Sequence, residues 1–192
     1  MNGRHRGLTR GRAGSGASSG VLPDVLAANL DIVFCGTAAG AASAAERAYY
    51  AGPGNSFWRT LFAVGLIPRP VLPHEYVVLA TWNMGLTDLA KNVSGSDDLL
   101  GKAHFDVERL RRLIAELGPQ IIAFTGKRAA AEFVGRPVPY GLLTETVESS
   151  RLFVLPSPSG AARRYWSMDP WRELAHLRSV GRCRWTPVGR GG

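Results

Sequence analysis

The chain has 192 residues, 45% of them hydrophobic and 20% charged, which fits one domain with a sizeable core and excludes a fibrous or wholly disordered chain. The formal net charge is +8; it favours a polyanionic partner, although a solubility charge or an anionic membrane surface would give the same balance. No apolar run is long enough to cross a bilayer, and the basic N-terminus lacks the apolar core of a signal peptide, so a reducing cytoplasm is the expected compartment.

Residues 1–20 place Arg4, Arg6, Arg10 and Arg12 among Gly and Ser. They read as a disordered basic arm, with either a DNA-holding role or none. The folded part is expected over 21–180, and a flexible Gly/Arg-rich tail over 181–192. The run 31–36, DIVFCG, predicts a buried strand, followed by a loop of small residues. Phe57, Trp58, Leu61, Phe62 and Val64 recur at helical intervals, with Asn55 as cap and Gly65 as stop. Another turn of helix is expected over 73–80, and a loop or short strand over 83–90. Residues 105–118 predict the clearest amphipathic helix, with Val107, Leu110, Leu113, Ile114 and Leu117 on one face. A second buried strand follows at 120–126 and a helix at 127–134. Residues 142–148 and 151–155 read as a hairpin or two strands, and 169–179 as the last helix. Buried strands separated by helices imply an α/β sandwich with a mostly parallel sheet, whose ligands bind beyond the carboxyl ends of the strands. The segments leaving at Gly36 and at Pro156 are therefore expected to face one cleft.

The two cysteines, Cys35 and Cys183, have no metal-site spacing and make no disulfide framework, so neither metal nor cofactor is expected. Gly36-Thr37-Ala38-Ala39-Gly40 alone is any Gly-rich turn, or a phosphate cradle; it is neither a Walker loop nor a Gly-x-Gly-x-x-Gly fingerprint. The continuation Tyr50-Ala51-Gly52-Pro53-Gly54-Asn55-Ser56-Phe57-Trp58 is more specific. With the Phe-Cys-Gly before it, it resembles the first motif of the mismatch-specific uracil/thymine-DNA glycosylases, within the uracil-DNA glycosylase superfamily. Gly85-Leu86-Thr87-Asp88-Leu89 is similar to that family's Gly-x-Thr loop, Gly126-Lys127 to its Gly-Lys strand end, and Leu155-Pro156-Ser157-Pro158-Ser159-Gly160 to its base-edge and wedge loop. The likeness runs in order from about residue 22 to 178. It implies a three-layer sandwich around a four-stranded, mostly parallel sheet, and a nucleoid-associated, monomeric bacterial enzyme of base-excision repair. Such an enzyme flips uracil, and other damaged bases, out of DNA and leaves an abasic site.

By that resemblance Tyr50 stacks on the extruded base, Asp88 and Ser157 read its edge, and Ser159, Gly160, Arg163 and Arg164 hold the strand. Arg151 would add to the basic rim. Backbone N–H groups from Gly36 to Gly40 would receive the departing base's negative charge. The blander readings are a core aromatic for Tyr50, a helix cap for Asp88 and a solvated surface for the arginines. The chain departs from the family where the water-positioning Asn and the following Pro are replaced by Ala38 and Ala39, and where the wedge position holds the small Ala161. Thr37 and Glu46 are the nearest substitutes for the Asn; Arg163, Arg164 or Tyr165 for the wedge. The Ala38 replacement keeps a second expectation open, a protein that binds uracil or abasic DNA with little turnover. A nucleotide-binding enzyme using the first loop is a more distant third.

Overall fold

The computed structural model describes residues 20–95 and 100–183. All but Gly20 of the expected basic arm, and the tail after Cys183, lie outside them. Five strands form one sheet in the order β2-β1-β3-β5-β4: β1 (Ile32–Ala39), β2 (Met84–Ser94), β3 (Ile121–Phe124), β4 (Gly141–Val147) and β5 (Ser150–Val154). The first four in that order are parallel, and β4 closes the edge as the antiparallel partner of β5. The four-stranded parallel sheet is present, and the expected hairpin adds the fifth strand.

Strand side chains alternate between two faces, and the two faces bury separate clusters. Ile32 and Phe34 of β1, Ala123 of β3 and Phe153 of β5 meet helix α2 (Phe57–Ala63) and helix α5 (Asp169–Cys183). Val33 and Cys35, Ile122 and Phe124, and Leu152 and Val154 meet helices α3 (Val107–Leu117) and α4 (Lys127–Val134). The result is the three-layer α/β sandwich the sequence predicts. Helix α3 begins where the Asp106 carboxylate accepts from the Arg109 amide and ends at Gly118, whose φ is +56. The N-cap of α2 is Ser56 rather than the expected Asn55, although the Asn55 side-chain oxygen accepts from the Phe57 amide at 2.9 Å.

Three segments differ from expectation. Residues 36–39 are not loop: β1 runs on to Ala39 because β2 continues beside it, pairing Gly36 with Asp88 and Ala38 with Ala90. The small residues after Gly40 form a short helix, α1 (Ala41–Glu46). Residues 84–94 are a full strand, although they carry Thr87, Asp88 and Lys91, because the open edge of β2 is covered by the chain that precedes β1. Val25 and Leu86 exchange both backbone hydrogen bonds, each at 2.9 Å, so the polar strand is paired on both sides. Helix α5 also outruns its expected end, passing Gly181 to Cys183.

A buried guanidinium ties α5 to the rest. Arg178 donates to the Asp31 carboxylate at 3.0 Å, to the Leu66 carbonyl at 2.8 Å and to the Trp82 carbonyl. Asp31 also accepts from the Asn83 amide at 2.7 Å. Both charged groups are buried, so removal of one leaves the other charged and desolvated. Arg178→Ala is expected to lower unfolding free energy by about 3–5 kcal/mol, read by urea denaturation; a loss under about 1 kcal/mol, the value of an exposed pair, would contradict this account.

Candidate active site

Parallel strands end together, and their carboxyl ends open into a cleft of about 730 Å³. Its floor is the last half of β1, Gly36 to Ala39; its walls come from α1, from Tyr49 and Tyr50, from Thr125 and Gly126 after β3, and from Ser157, Pro158, Ser159, Ala161 and Ala162 after β5. The segments leaving at Gly36 and Pro156 thus face one cleft, as expected. Ala38, Ala39, Ala41 and Ala42 give one wall almost no side-chain bulk.

Asp88 is the only carboxylate among the described residues that line the cleft. It stands opposite Gly36 in the β1–β2 ladder, and residues in register across parallel strands project to the same face. With no side chain at Gly36, the carboxylate lies across its Cα: a methyl group there would collide with Asp88 Oδ1 and meet the Tyr50 hydroxyl at 3.6 Å. Asp88 is a strand residue, so its reading as a helix cap falls. Burial pushes its carboxyl up to about 7; Lys91 pulls it down, Asp24 raises it, and Arg109 lowers it. These three charges form a network behind the cleft. Asp24 accepts from Lys91 and the Thr87 hydroxyl at 2.8 Å each, and also pairs with Arg109. Arg109 donates to the Asp88 carbonyl at 3.3 Å, and Lys91 donates to the Tyr49 hydroxyl at 3.1 Å and to the Leu22 carbonyl. Near neutral pH the Asp88 side chain therefore passes between acid and base, the condition for efficient general base work.

Tyr50 adopts φ +57, a left-handed backbone rarely taken by aromatic residues. Surrounding contacts hold it there. One ring face stacks on Phe57, with centroids 3.8 Å apart and planes 15° from parallel, and its hydroxyl bonds the Thr125 hydroxyl at 3.0 Å. Burial, with Asp88 next, raises the Tyr50 phenol well above its ordinary value, so the ring stays neutral. Tyr50 is among the residues that border the cleft.

The other expected site residues divide. Thr37, Ala38, Ser157 and Ser159 line the cleft, as do Ala161 and the exposed Tyr165. Glu46 does not: it is exposed at the end of α1, because the alanine-rich segment coils into a helix that turns its last residue outward. The expected cradle of loop N–H groups is also altered, since Gly36 to Ala39 pair in the ladder with β2. Gly160 touches no part of the cleft wall; it lets its loop approach Pro53 and Gly54, whose atoms lie 3.1 to 3.5 Å from where a Cβ would stand. Arg163 lines a neighbouring pocket, while Arg164 is exposed with its guanidinium 6.0 Å from the Tyr165 ring. Arg151 is the second residue of β5, at the end of the sheet opposite the cleft, so it adds nothing to the rim. Among the lining residues that the sequence did not single out for the site are Thr125, which anchors Tyr50, and Asn55, read only as a cap. With its oxygen turned to the Phe57 amide, the Asn55 NH₂ group remains a donor on the cleft wall. Neither carries a signal in sequence, because Ser, Thr and Asn at strand and helix ends are common caps.

A model of the uracil DNA glycosylase superfamily matches residues 23–179, which takes in every element from β1 into α5. The solution NMR structure of a candidate uracil DNA glycosylase from Methanosarcina acetivorans shares the fold, with a TM-score of 0.55 and 24% identity over 83% of this chain and 96% of that one. With the family match spanning the sheet, both helical layers and the cleft, the chain belongs to the uracil DNA glycosylase superfamily.

Proposed function

We propose that the protein is a DNA glycosylase, nearest to the mismatch-specific uracil/thymine branch, in which Asp88 does the work of the Asn that Ala38 replaces. One observation carries this reading: among the described residues that line the cleft Asp88 is the one carboxylate, dry enough to titrate near neutrality and laid against the floor strand at Gly36. The substrate is a nucleotide flipped out of a monomeric enzyme's DNA partner, since a base inside the stack is out of reach. Its ring stacks on the open face of Tyr50. The Ser157 hydroxyl, which accepts from the Ser159 amide at 3.3 Å, keeps its own proton to donate to a base carbonyl, and the Asn55 NH₂ is a second donor.

Water attacks C1′ of the sugar as Asp88 takes its proton. The electron pair of the C1′–N1 bond leaves on the uracil ring, where donors at the cleft wall stabilise the anion; an abasic site remains. The alanine-lined wall suits bases larger than uracil as well, because such a wall discriminates a methylene by only about 1–3 kcal/mol. Against this reading stands a protein that holds uracil DNA without cutting the bond, favoured by the absence of a polar atom at Ala38.

Single-turnover assays on a uracil-containing oligonucleotide, followed by alkaline cleavage of abasic sites, separate the two. Excision is expected in the wild type, and Asp88→Asn should slow it by about 10²–10⁴-fold. Because the ionised form is the base, the wild-type rate should climb as pH rises through about 7 and then level off. Uracil DNA bound tightly but left intact by the wild type would establish the binding protein instead.

Tyr50→Ala should weaken binding of uracil DNA by about 1–3 kcal/mol, the value of stacking one base. Tyr50→Phe keeps the ring and loses only the bond to Thr125, so its effect should be small in a gel-shift titration. Equal losses in both variants would remove the stacking role.

A further inference from the structure

Beside the base cleft lies a second pocket of about 290 Å³. The two share the wall formed by Pro158 and Ser159. The seam is tight: the Ser56 amide donates to the Pro158 carbonyl at 2.9 Å, and the Ser56 hydroxyl donates to the same oxygen at 3.3 Å. Two guanidinium groups line this pocket, Arg59 from α2 and Arg163 from the segment after β5. Among the described residues no carboxylate lines it and neither arginine forms a salt bridge. Arg163 is also specifically seated. Its Nη2 lies 3.0 Å from where a Cβ on Gly54 would stand, and Gly54 has φ +73, so only glycine leaves this space open to the guanidinium.

We propose that Arg59 and Arg163 form a clamp for the DNA phosphodiester next to the extruded nucleotide. Two like charges facing one pocket without a counterion repel each other, and an anion between them relieves that repulsion. Guanidinium forks match phosphate oxygens in pairs, which suits them to the work better than lysine. The Ser159 hydroxyl accepts from the Ala161 amide at 3.4 Å and keeps its proton to donate to the same phosphate. Since Ser159 borders both pockets, a nucleotide whose base fills the cleft carries its backbone across this wall. The clamp rests on the glycosylase reading for its substrate, and it assigns Arg59, 104 residues from Arg163 in sequence, to strand positioning.

The test crosses protein and DNA changes. A duplex carrying one uncleavable 2′-fluorinated deoxyuridine is made in versions with a neutral methylphosphonate at each flanking linkage in turn. For the wild type, one linkage beside the lesion should cost about tenfold in affinity when neutralised, as a charge-assisted bond does. For Arg59→Ala and Arg163→Ala, neutralising that linkage should cost little more. Both variants should bind uracil DNA more weakly, with the slope of log affinity against log salt shallower by about one. Inorganic phosphate at matched ionic strength should leave binding unchanged; displacement of DNA by it would mark a free-anion site and overturn the clamp. Full, additive losses at every linkage in both variants would also overturn it. Arg59 is exposed, so alanine there leaves the core untouched. The clamp and the glycosylase reading fail separately: excision with additive losses removes only the clamp, and non-additive losses without excision remove only the enzyme.

Discussion

The approach of β2 to β1 beyond Cys35 is the constraint on which the site depends. β3 stops at Phe124, but β2 follows β1 to Ala39 and so delivers Asp88 opposite Gly36. Glycine there lets a carboxylate lie where a side chain would otherwise stand. Burial then disfavours its charged form, and the Lys91 and Arg109 charges behind it prevent the shift from running so far that the base is lost. A longer β1 with β2 beside it is thus a means of placing a carboxylate against a cleft floor made of Gly36, Thr37, Ala38 and Ala39. The same extension removes part of the amide cradle that a loop would offer, and the charge of a departing base falls to side-chain donors such as Ser157 and Asn55.

The core supports the site through a line of aromatic rings. Trp171 of α5 packs on Phe34 of β1 with centroids 6.3 Å apart, Phe34 meets the edge of Phe57 at 5.2 Å, and Phe57 carries the Tyr50 ring at 3.8 Å. A substrate base stacked on Tyr50 therefore rests on a column that reaches the sheet. Helix α5 begins just after the Arg-rich segment 160–165 and is locked at its far end by Arg178 and Asp31. Stability and function meet in these elements: the ion pair holds the helix, the helix holds Trp171, and Trp171 backs the platform.

Much of this was legible in the residues. Period-3.6 apolar spacing over 105–118 marks α3, which runs from Val107 to Leu117. The runs 31–36 and 120–126 held two of the buried strands, and the ordered motifs located the cleft. What was not legible arises across the sheet. Thr87, Asp88 and Lys91 look like loop residues until Val25 covers the β2 edge and Asp24 accepts from Thr87 and Lys91. Glu46, like Thr37, is a candidate substitute for the Asn only by nearness in sequence to the motif, whereas Asp88 reaches the motif from the neighbouring strand. Arg151 seemed to extend the basic loop, but a parallel strand puts its first residues at the end away from the ligand. Arg59 sits within a helix whose apolar spacing drew the attention to packing.

The ionisation of Asp88 links the strand pairing to the chemistry, and a carboxyl titration followed by carbon-13 NMR measures it directly. The account predicts a midpoint of about 7 in the folded wild type, shifted by substitution of Asp24 or Lys91. A midpoint at the ordinary aspartate value near 3.8 would mean that the carboxylate is solvated, and the claim that a dry, strand-held Asp88 activates water would be contradicted.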